Sequence, residues 1–294
     1  MPPEENGKPS QGPRSLIVSP RLTDKDFAEI RTLVKAKTGI NLGLHKRDLV
    51  VSRLARRLRA LNLGSFRQYI QLLQDSGDDG ELVNMINQIT TNKTEFYREN
   101  HHFEFLRDKV LPQILENGER SGQRLVRAWS AGCSSGEEPY SLALTLGEFF
   151  RNRSGWDVKL LATDLDTNML LRASQGEYDE ATVEPVPRPL LSRYFTRARR
   201  AEGTFYKVGP EIRSMITFRK FNLMNPTYPL KVNLDFIFCR NVLIYFESTD
   251  KLEILKKFHG VLKPAAPLFV GHSESLMMAK DLFQYLATTV YRKV

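Results

Sequence analysis

The chain has 294 residues, 41% of them hydrophobic, and 43 Lys and Arg against 34 Asp and Glu give a formal net charge of +9. That length supports two modest domains with cores of their own. No apolar run approaches the ~20 residues of a membrane-spanning helix and two cysteines make no disulfide framework, so the composition predicts a soluble, cytoplasmic protein with no inserted segment.

Residues 1–20 begin MPPEENGKPSQGPRS and read as a disordered tail without a hydrophobic signal core. Residues 21–90 read as a small all-helical domain. Within them, residues 21–70 hold 12 Lys or Arg against four Asp or Glu, a net of +8. Val50, Val51, Leu54, Leu58 and Leu61 make one apolar stripe, with Lys46, Arg53, Arg56 and Arg57 largely off it, which describes a basic amphipathic helix. Such a face suits an acidic protein surface or nucleic acid, and equally a merely solvated surface. SFRQYIQLLQ and ELVNMINQIT continue the helical period on either side of an SGDDG break.

Thr90–Arg98 is a connector whose polar density is unusual for a linker. Arg98 would, on the plainest reading, bridge two domains by an ion pair. His101 and His102 then read as the surface start of a helix, FEFLRDKVLPQIL. Neither histidine has a Cys or His partner at zinc spacing, and no metal is expected.

Arg124–Trp129, RLVRAW, is strand-like, and SLALTLGEFF from Ser141 has helical spacing. Between them, WSAGCSSGEEPYS forms a turn in which Ala131, Gly132, Ser134, Ser135 and Gly136 leave the backbone open to a ligand. The dinucleotide fingerprint G-x-G-x-x-G is absent, and Glu137 and Glu138 stand where the helix begins. Carboxylates there repel phosphate and suit a cationic, hydroxyl-bearing ligand such as S-adenosylmethionine, although complementing the helix dipole would also account for them. Val158–Thr163, VKLLAT, is a second strand, ending at Asp164 roughly 30 residues past the turn. An acid there can hold ribose hydroxyls, whereas Asp166 reads as the N-cap of the helix TNMLLRAS.

Gly176–Met215 is Pro-rich and basic, cannot be a central strand, and reads as an inserted subdomain in which GTFYKV forms a short antiparallel strand. Phe236–Phe238 in LDFIFCRNVLIYF is a buried parallel strand, with Arg240 and Asn241 at its carboxyl end, where open α/β sheets carry their sites. PLFVGHSESL reads as another strand, and YLATTVYRKV ends the chain as an edge strand. His272 reads as a capping or core histidine.

Together TTNKTEFYRE, SAGCSSGEEPYSLA, ATDLDTNMLLRASQGEY and FIFCRNVLIYF resemble the chemotaxis protein methyltransferase family, CheR, from about Leu22 onward. The resemblance implies an α/β fold: a Rossmann-like S-adenosylmethionine-dependent methyltransferase domain over residues 91–294 with a small antiparallel β-subdomain inserted at about 178–215, preceded by the helical domain at 21–90. It implies methylation of glutamate side chains in the cytoplasmic region of chemoreceptors, with S-adenosylhomocysteine as product. Asn92, Thr94, Arg98, Ala131, Gly132, Glu137, Asp164, Asn222, Leu223, Arg240 and Asn241 become the expected cofactor contacts. Arg98 and Tyr245 become the expected catalytic pair, and Arg53, Arg56, Arg57 and Arg59 the expected receptor contacts. In some members the β-subdomain docks a receptor C-terminal pentapeptide, helped by a Gly-x-Gly turn. Here RARRAEGTF has one glycine, so direct recognition of the receptor body is expected.

The chemistry needs little acid-base machinery, since a glutamate is already ionised near neutral pH. Two alternatives remain: a nucleic-acid methyltransferase, suggested by basic charge and NPTY at Asn225–Tyr228, and a non-catalytic signalling adaptor. NPTY precedes the strand it would have to follow, so no nucleic-acid partner is expected.

Overall fold

The structure, a computed structural model, describes residues 21–75, 80–231 and 233–294. The tail expected over residues 1–20 and most of the SGDDG break lie outside the described residues.

Four helices come first: α1 (Asp24–Thr38), α2 (Arg47–Ala60), α3 (Phe66–Asp75) and α4 (Gly80–Ile89). α1 starts where the Thr23 side chain accepts from the Asp26 amide and stops where Gly39 turns left-handed at φ 77°. The apolar stripe of α2 is buried through Val50, Leu54 and Leu58, which pack with Phe27, Ile30, Phe66 and Ile70 in one core.

α5 (His101–Phe105) and α6 (Leu111–Ser121) are joined by a π-turn at Leu106–Val110. Pro112 accounts for the break, because its missing amide and its ring prevent a regular bond to the carbonyl four residues back. His102 departs from the surface position expected of it. It is wholly buried against Phe238 and Phe269, with Nε2 at 2.7 Å from Thr289 Oγ1.

The α/β part follows as β1 (Leu125–Ala131), α7 (Glu137–Phe150), β2 (Asp157–Asp164) and α8 (Thr167–Gln175). The insertion carries β3 (Glu177–Asp179), α9 (Arg188–Tyr194), β4 (Phe195–Arg200), β5 (Gly203–Val208) and α10 (Pro210–Arg213). After it come β6 (Ile216–Lys220), β7 (Phe236–Cys239), α11 (Ser248–Val261), β8 (Pro267–Val270), β9 (Phe283–Ala287) and β10 (Val290–Lys293). The main sheet has the order β6-β2-β1-β7-β8-β10-β9, its first five strands parallel. β3, β5 and β4 form a separate antiparallel sheet.

The C-terminal end differs from expectation. The C-terminal stretch is a hairpin rather than one strand, turning at Thr289 with φ 56°, and the edge belongs to β9 because β10 lies between β8 and β9. NPTY contributes to the core: Tyr228 packs edge-on against Trp129 and Phe221, and its hydroxyl donates to Leu223 O at 2.8 Å. Strand order reverses on either side of β1, so the carboxyl ends of β1, β2 and β7 surround the crevice where such sheets bind ligands.

Candidate active site

A cavity of about 380 Å3 fills that crevice, within the roughly 300–1,000 Å3 of small-molecule sites. The helical part closes it with Val34, Thr38, Leu42, Ile86 and Ile89, and the α/β part supplies Gly132, Ser134, Glu138, Asp164 and Arg240. The two parts are tied at its mouth by Asn41 N donating to Tyr245 O at 2.8 Å.

Under the cavity, the amides of Gly132 and Cys133 donate to Thr163 O at 2.8 and 2.9 Å, folding the turn back on β2. Gly132 has φ +87°, and a Cβ there would lie 2.3 Å from Val242 Cγ2. Only glycine meets both constraints without strain. Asp164 is fixed from both sides, Oδ2 accepting from Ser134 N at 2.7 Å and Oδ1 from Asp166 N at 2.9 Å. Burial raises its pKa above the usual carboxylate value. Asp166 caps α8 through Oδ1, which accepts from Asn168 N and Met169 N, while Oδ2 accepts from Thr90 Oγ1 and Asn92 Nδ2, each at 2.8 Å. The connector is thereby bonded directly to the second strand's exit.

Arg240 is the buried cation of the site. Nη2 lies 3.2 Å from Glu99 Oε2 and also donates to Arg98 O, and Nη1 lies 3.3 Å from Glu138 Oε2. Burial raises the pKa of Glu138, while Arg240 and the Ser130 hydroxyl, donating at 2.7 Å, oppose the rise. Glu99 and Glu138 compensate the charge of Arg240, while the anchored Asp164 carboxylate faces the cavity, where it suits ligand hydroxyls.

Residues 92–292 match the CheR methyltransferase, SAM binding domain, and residues 25–90 match the CheR methyltransferase, all-alpha domain. The chain belongs to the CheR methyltransferase family. Among its relatives are a probable chemotaxis protein methyltransferase of Rhizobium etli, 40% identical over 88% of this chain and 96% of that one, and a chemotaxis protein methyltransferase of Escherichia coli K12, 40% identical over 92% and 91%. A chemotaxis protein methyltransferase of Borreliella burgdorferi is 36% identical over 92% of this chain and 95% of that one. The cofactor of this CheR domain is S-adenosylmethionine.

Asn92, Thr94, Arg98, Gly132, Asp164, Asn222, Leu223, Arg240, Asn241 and Tyr245 all line the cavity. Ala131 and Glu137 do not. Ala131 is fully buried in β1, and Glu137 turns behind the wall, where Ser135 Oγ donates to its carboxylate at 2.7 Å. Glu138 lines the cavity beside the Glu137 that the family resemblance implies as a contact. One residue along a helix rotates the side chain by roughly 100°, which sequence spacing alone does not resolve.

The four arginines of α2 divide into two pairs. Arg57 donates to Glu81 from Nε at 2.7 Å and from Nη2, and Tyr69 OH donates to the same carboxylate at 2.7 Å. Arg53 Nη1 donates to the carbonyls of Gln88, Ile89 and Thr90, the negative end of α4 beside the connector. The side chains of Arg56 and Arg59 carry no ion pair or hydrogen bond among the described residues, and both residues are exposed. Arg98 is not the domain-bridging ion pair of its plainest reading: Nη1 donates to Lys93 O at 2.9 Å. It also borders a second cavity, of about 700 Å3, shared with Tyr97, Phe149 and Leu190. His272 is exposed, its side chain 57% accessible, and so is not a core residue. Among the described residues no group of three or more His, Cys, Asp or Glu is gathered to hold a metal, and no helix is long and apolar enough to cross a membrane.

Proposed function

We propose that this CheR methyltransferase esterifies glutamate side chains in the cytoplasmic region of a chemoreceptor, acting in the cytoplasm. Asp164 binds the ribose hydroxyls, with Asn92, Thr94, Glu138, Asn222, Leu223, Arg240 and Asn241 forming the rest of the cofactor's enclosure. When bound, S-adenosylmethionine supplies an electrophilic methyl group on a sulfonium. The protein's residues bind and orient the acceptor.

Arg98 carries this reading. It stands between two cavities with no carboxylate at ion-pair distance among the described residues, and its neighbours Tyr97 and Glu99 both have φ 54°. Such left-handed backbone costs about 1 kcal/mol or more per non-glycine residue and persists where the surroundings enforce it, commonly at functional sites. A guanidinium held there is suited to an incoming carboxylate by charge-assisted hydrogen bonds, with Tyr245 as a second contact. The acceptor needs no general base because it is already an anion. Phe221, Leu223 and Val242 make the wall apolar and keep water from competing as acceptor.

Arg56 and Arg59, which no acid among the described residues occupies, meet the acidic receptor surface, and recognition does not require a receptor pentapeptide. In support, the β4–β5 hairpin turns tightly, pairing Arg200 with Gly203, and Gly203 is its single glycine. The mechanism is tested by Arg98→Ala, which should lose about 100-fold or more of kcat/KM while remaining folded. Full retained activity would remove Arg98 from the mechanism.

A further inference from the structure

The loop after β8 carries a carboxylate that the reaction above does not use. Glu274 is 7% exposed, and its two oxygens gather three backbone amides from two loops. Oε2 accepts from Gly271 N at 2.6 Å and from Asn241 N at 2.9 Å, and Oε1 accepts from Ile244 N at 3.2 Å. Gly271 and Glu274 follow β8, whereas Asn241 and Ile244 follow β7. One anion thus fastens the exits of two neighbouring parallel strands.

What it fastens is cavity wall. Asn241 lines the cavity with a left-handed backbone, φ 59°, a conformation that must be held in place by its surroundings. Gly271 packs so close that a Cβ on it would lie 2.4 Å from Asn241 Nδ2 and 2.7 Å from Asn241 N. The Ile244 amide lies in the short 3-10 turn Leu243–Tyr245, which sets Tyr245 on the same wall. Amides converging on a carboxylate from separate segments make a concave anion site, and here the anion comes from the chain itself.

We propose that Glu274, backed by Gly271, is a positioning residue for the cofactor: it holds Asn241 and the Tyr245 turn in their binding geometry without touching the ligand. The inference rests on the reading that this cavity holds S-adenosylmethionine. Without the carboxylate, three amides lose their acceptor and Asn241 loses the bond that opposes its return to ordinary backbone angles. The wall then has to be ordered when the cofactor binds, and the binding energy drops by that amount. Glutamine keeps one acceptor oxygen but turns an NH2 group toward an amide donor, so it relieves the defect only in part.

The test uses full-length Glu274→Gln, Glu274→Ala and Gly271→Ala, titrated calorimetrically with S-adenosylhomocysteine and assayed against a receptor cytoplasmic fragment. The dissociation constant should rise by about tenfold or more in Glu274→Gln and further in Glu274→Ala. KM for S-adenosylmethionine should rise with it, and by a larger factor than KM for the fragment, which changes only through the Tyr245 contact. Gly271→Ala leaves the carboxylate in place and should show the same loss, so a Glu274 variant that fails to fold does not decide the matter. Wild-type S-adenosylhomocysteine affinity in Gly271→Ala and in whichever Glu274 variants fold, with only kcat reduced, would mark a purely structural role and overturn the proposal. Absence of binding by the wild-type protein would overturn the cavity reading together with it.

Discussion

Replacing Asp164 by alanine should weaken S-adenosylhomocysteine binding by two orders of magnitude. Each of its oxygens accepts one backbone amide, from Ser134 and Asp166, which fixes the carboxylate and leaves a further lone pair on each for a ligand hydroxyl. Hydrogen bonds to a charged group contribute about 1.5 kcal/mol at the low end, so two ribose hydroxyls are worth about 3 kcal/mol, or roughly 150-fold in affinity. Desolvation of the carboxylate, which raises its pKa, is already incurred in the ligand-free protein and does not recur on binding. Asparagine is the sharper probe. Because the two oxygens serve different amides, a carboxamide must present its NH2 group to one of those N–H groups, setting donor against donor. Asp164→Asn should therefore bind nearly as weakly as Asp164→Ala. Calorimetric titration of both variants, with circular dichroism to confirm folding, reads this directly. Affinity within about threefold of wild type in either one would refute the assignment of the ribose to Asp164.

Three further outcomes follow from the geometry. Arg53→Ala, which frees the end of α4 beside the connector, should weaken S-adenosylhomocysteine binding several-fold, whereas Arg56→Ala and Arg59→Ala should leave that affinity alone and raise KM for the receptor fragment in a salt-dependent way; calorimetry and steady-state kinetics separate the pairs. Burial holds the pKa of His102 at about 2 against an ordinary 6.5, so its contribution to stability is complete above pH 6.5 and falls by about 1.4 kcal/mol per pH unit below it as only the unfolded chain takes the proton. By urea unfolding, His102→Gln should lose about 2 kcal/mol less than wild type between pH 7 and pH 5, and equal losses would contradict this. Burial pushes Glu137, Glu138, Asp164 and Glu274 the other way, but they titrate in both proteins and cancel in the difference. Deleting the last five residues of the receptor should leave the methylation rate unchanged within about twofold, as measured with paired full-length and truncated substrates.

Much of the crevice was legible because its central parallel strands are mostly apolar: FIFC is buried on both faces, RLVRAW and VKLLAT are buried toward their carboxyl ends, and their polar exits point to the site. Asp166 was legible as a cap because a short acid before a helical period has one common use. Strand β6 was hidden, since ITFRK is an edge strand that is mostly solvated and alternates too weakly to register. The C-terminal hairpin was hidden because threonine, not Gly, Asn or Asp, takes the left-handed turn position. Composition gave the charge on α2 but not its direction, so Arg53 and Arg57, which face inward, could not be told from Arg56 and Arg59. Glu274 carried little local signal, because two of its three partners lie about 30 residues away along the chain.

The central claim is that a carboxylate accepts the methyl group. Incubating the protein with methyl-labelled S-adenosylmethionine and a receptor cytoplasmic fragment, then treating the product with mild base, tests it most directly. Label released as volatile methanol is the predicted result, since an ester hydrolyses under those conditions. Label that stays on the fragment as a base-stable amine or amide, or that never reaches it, would contradict the account.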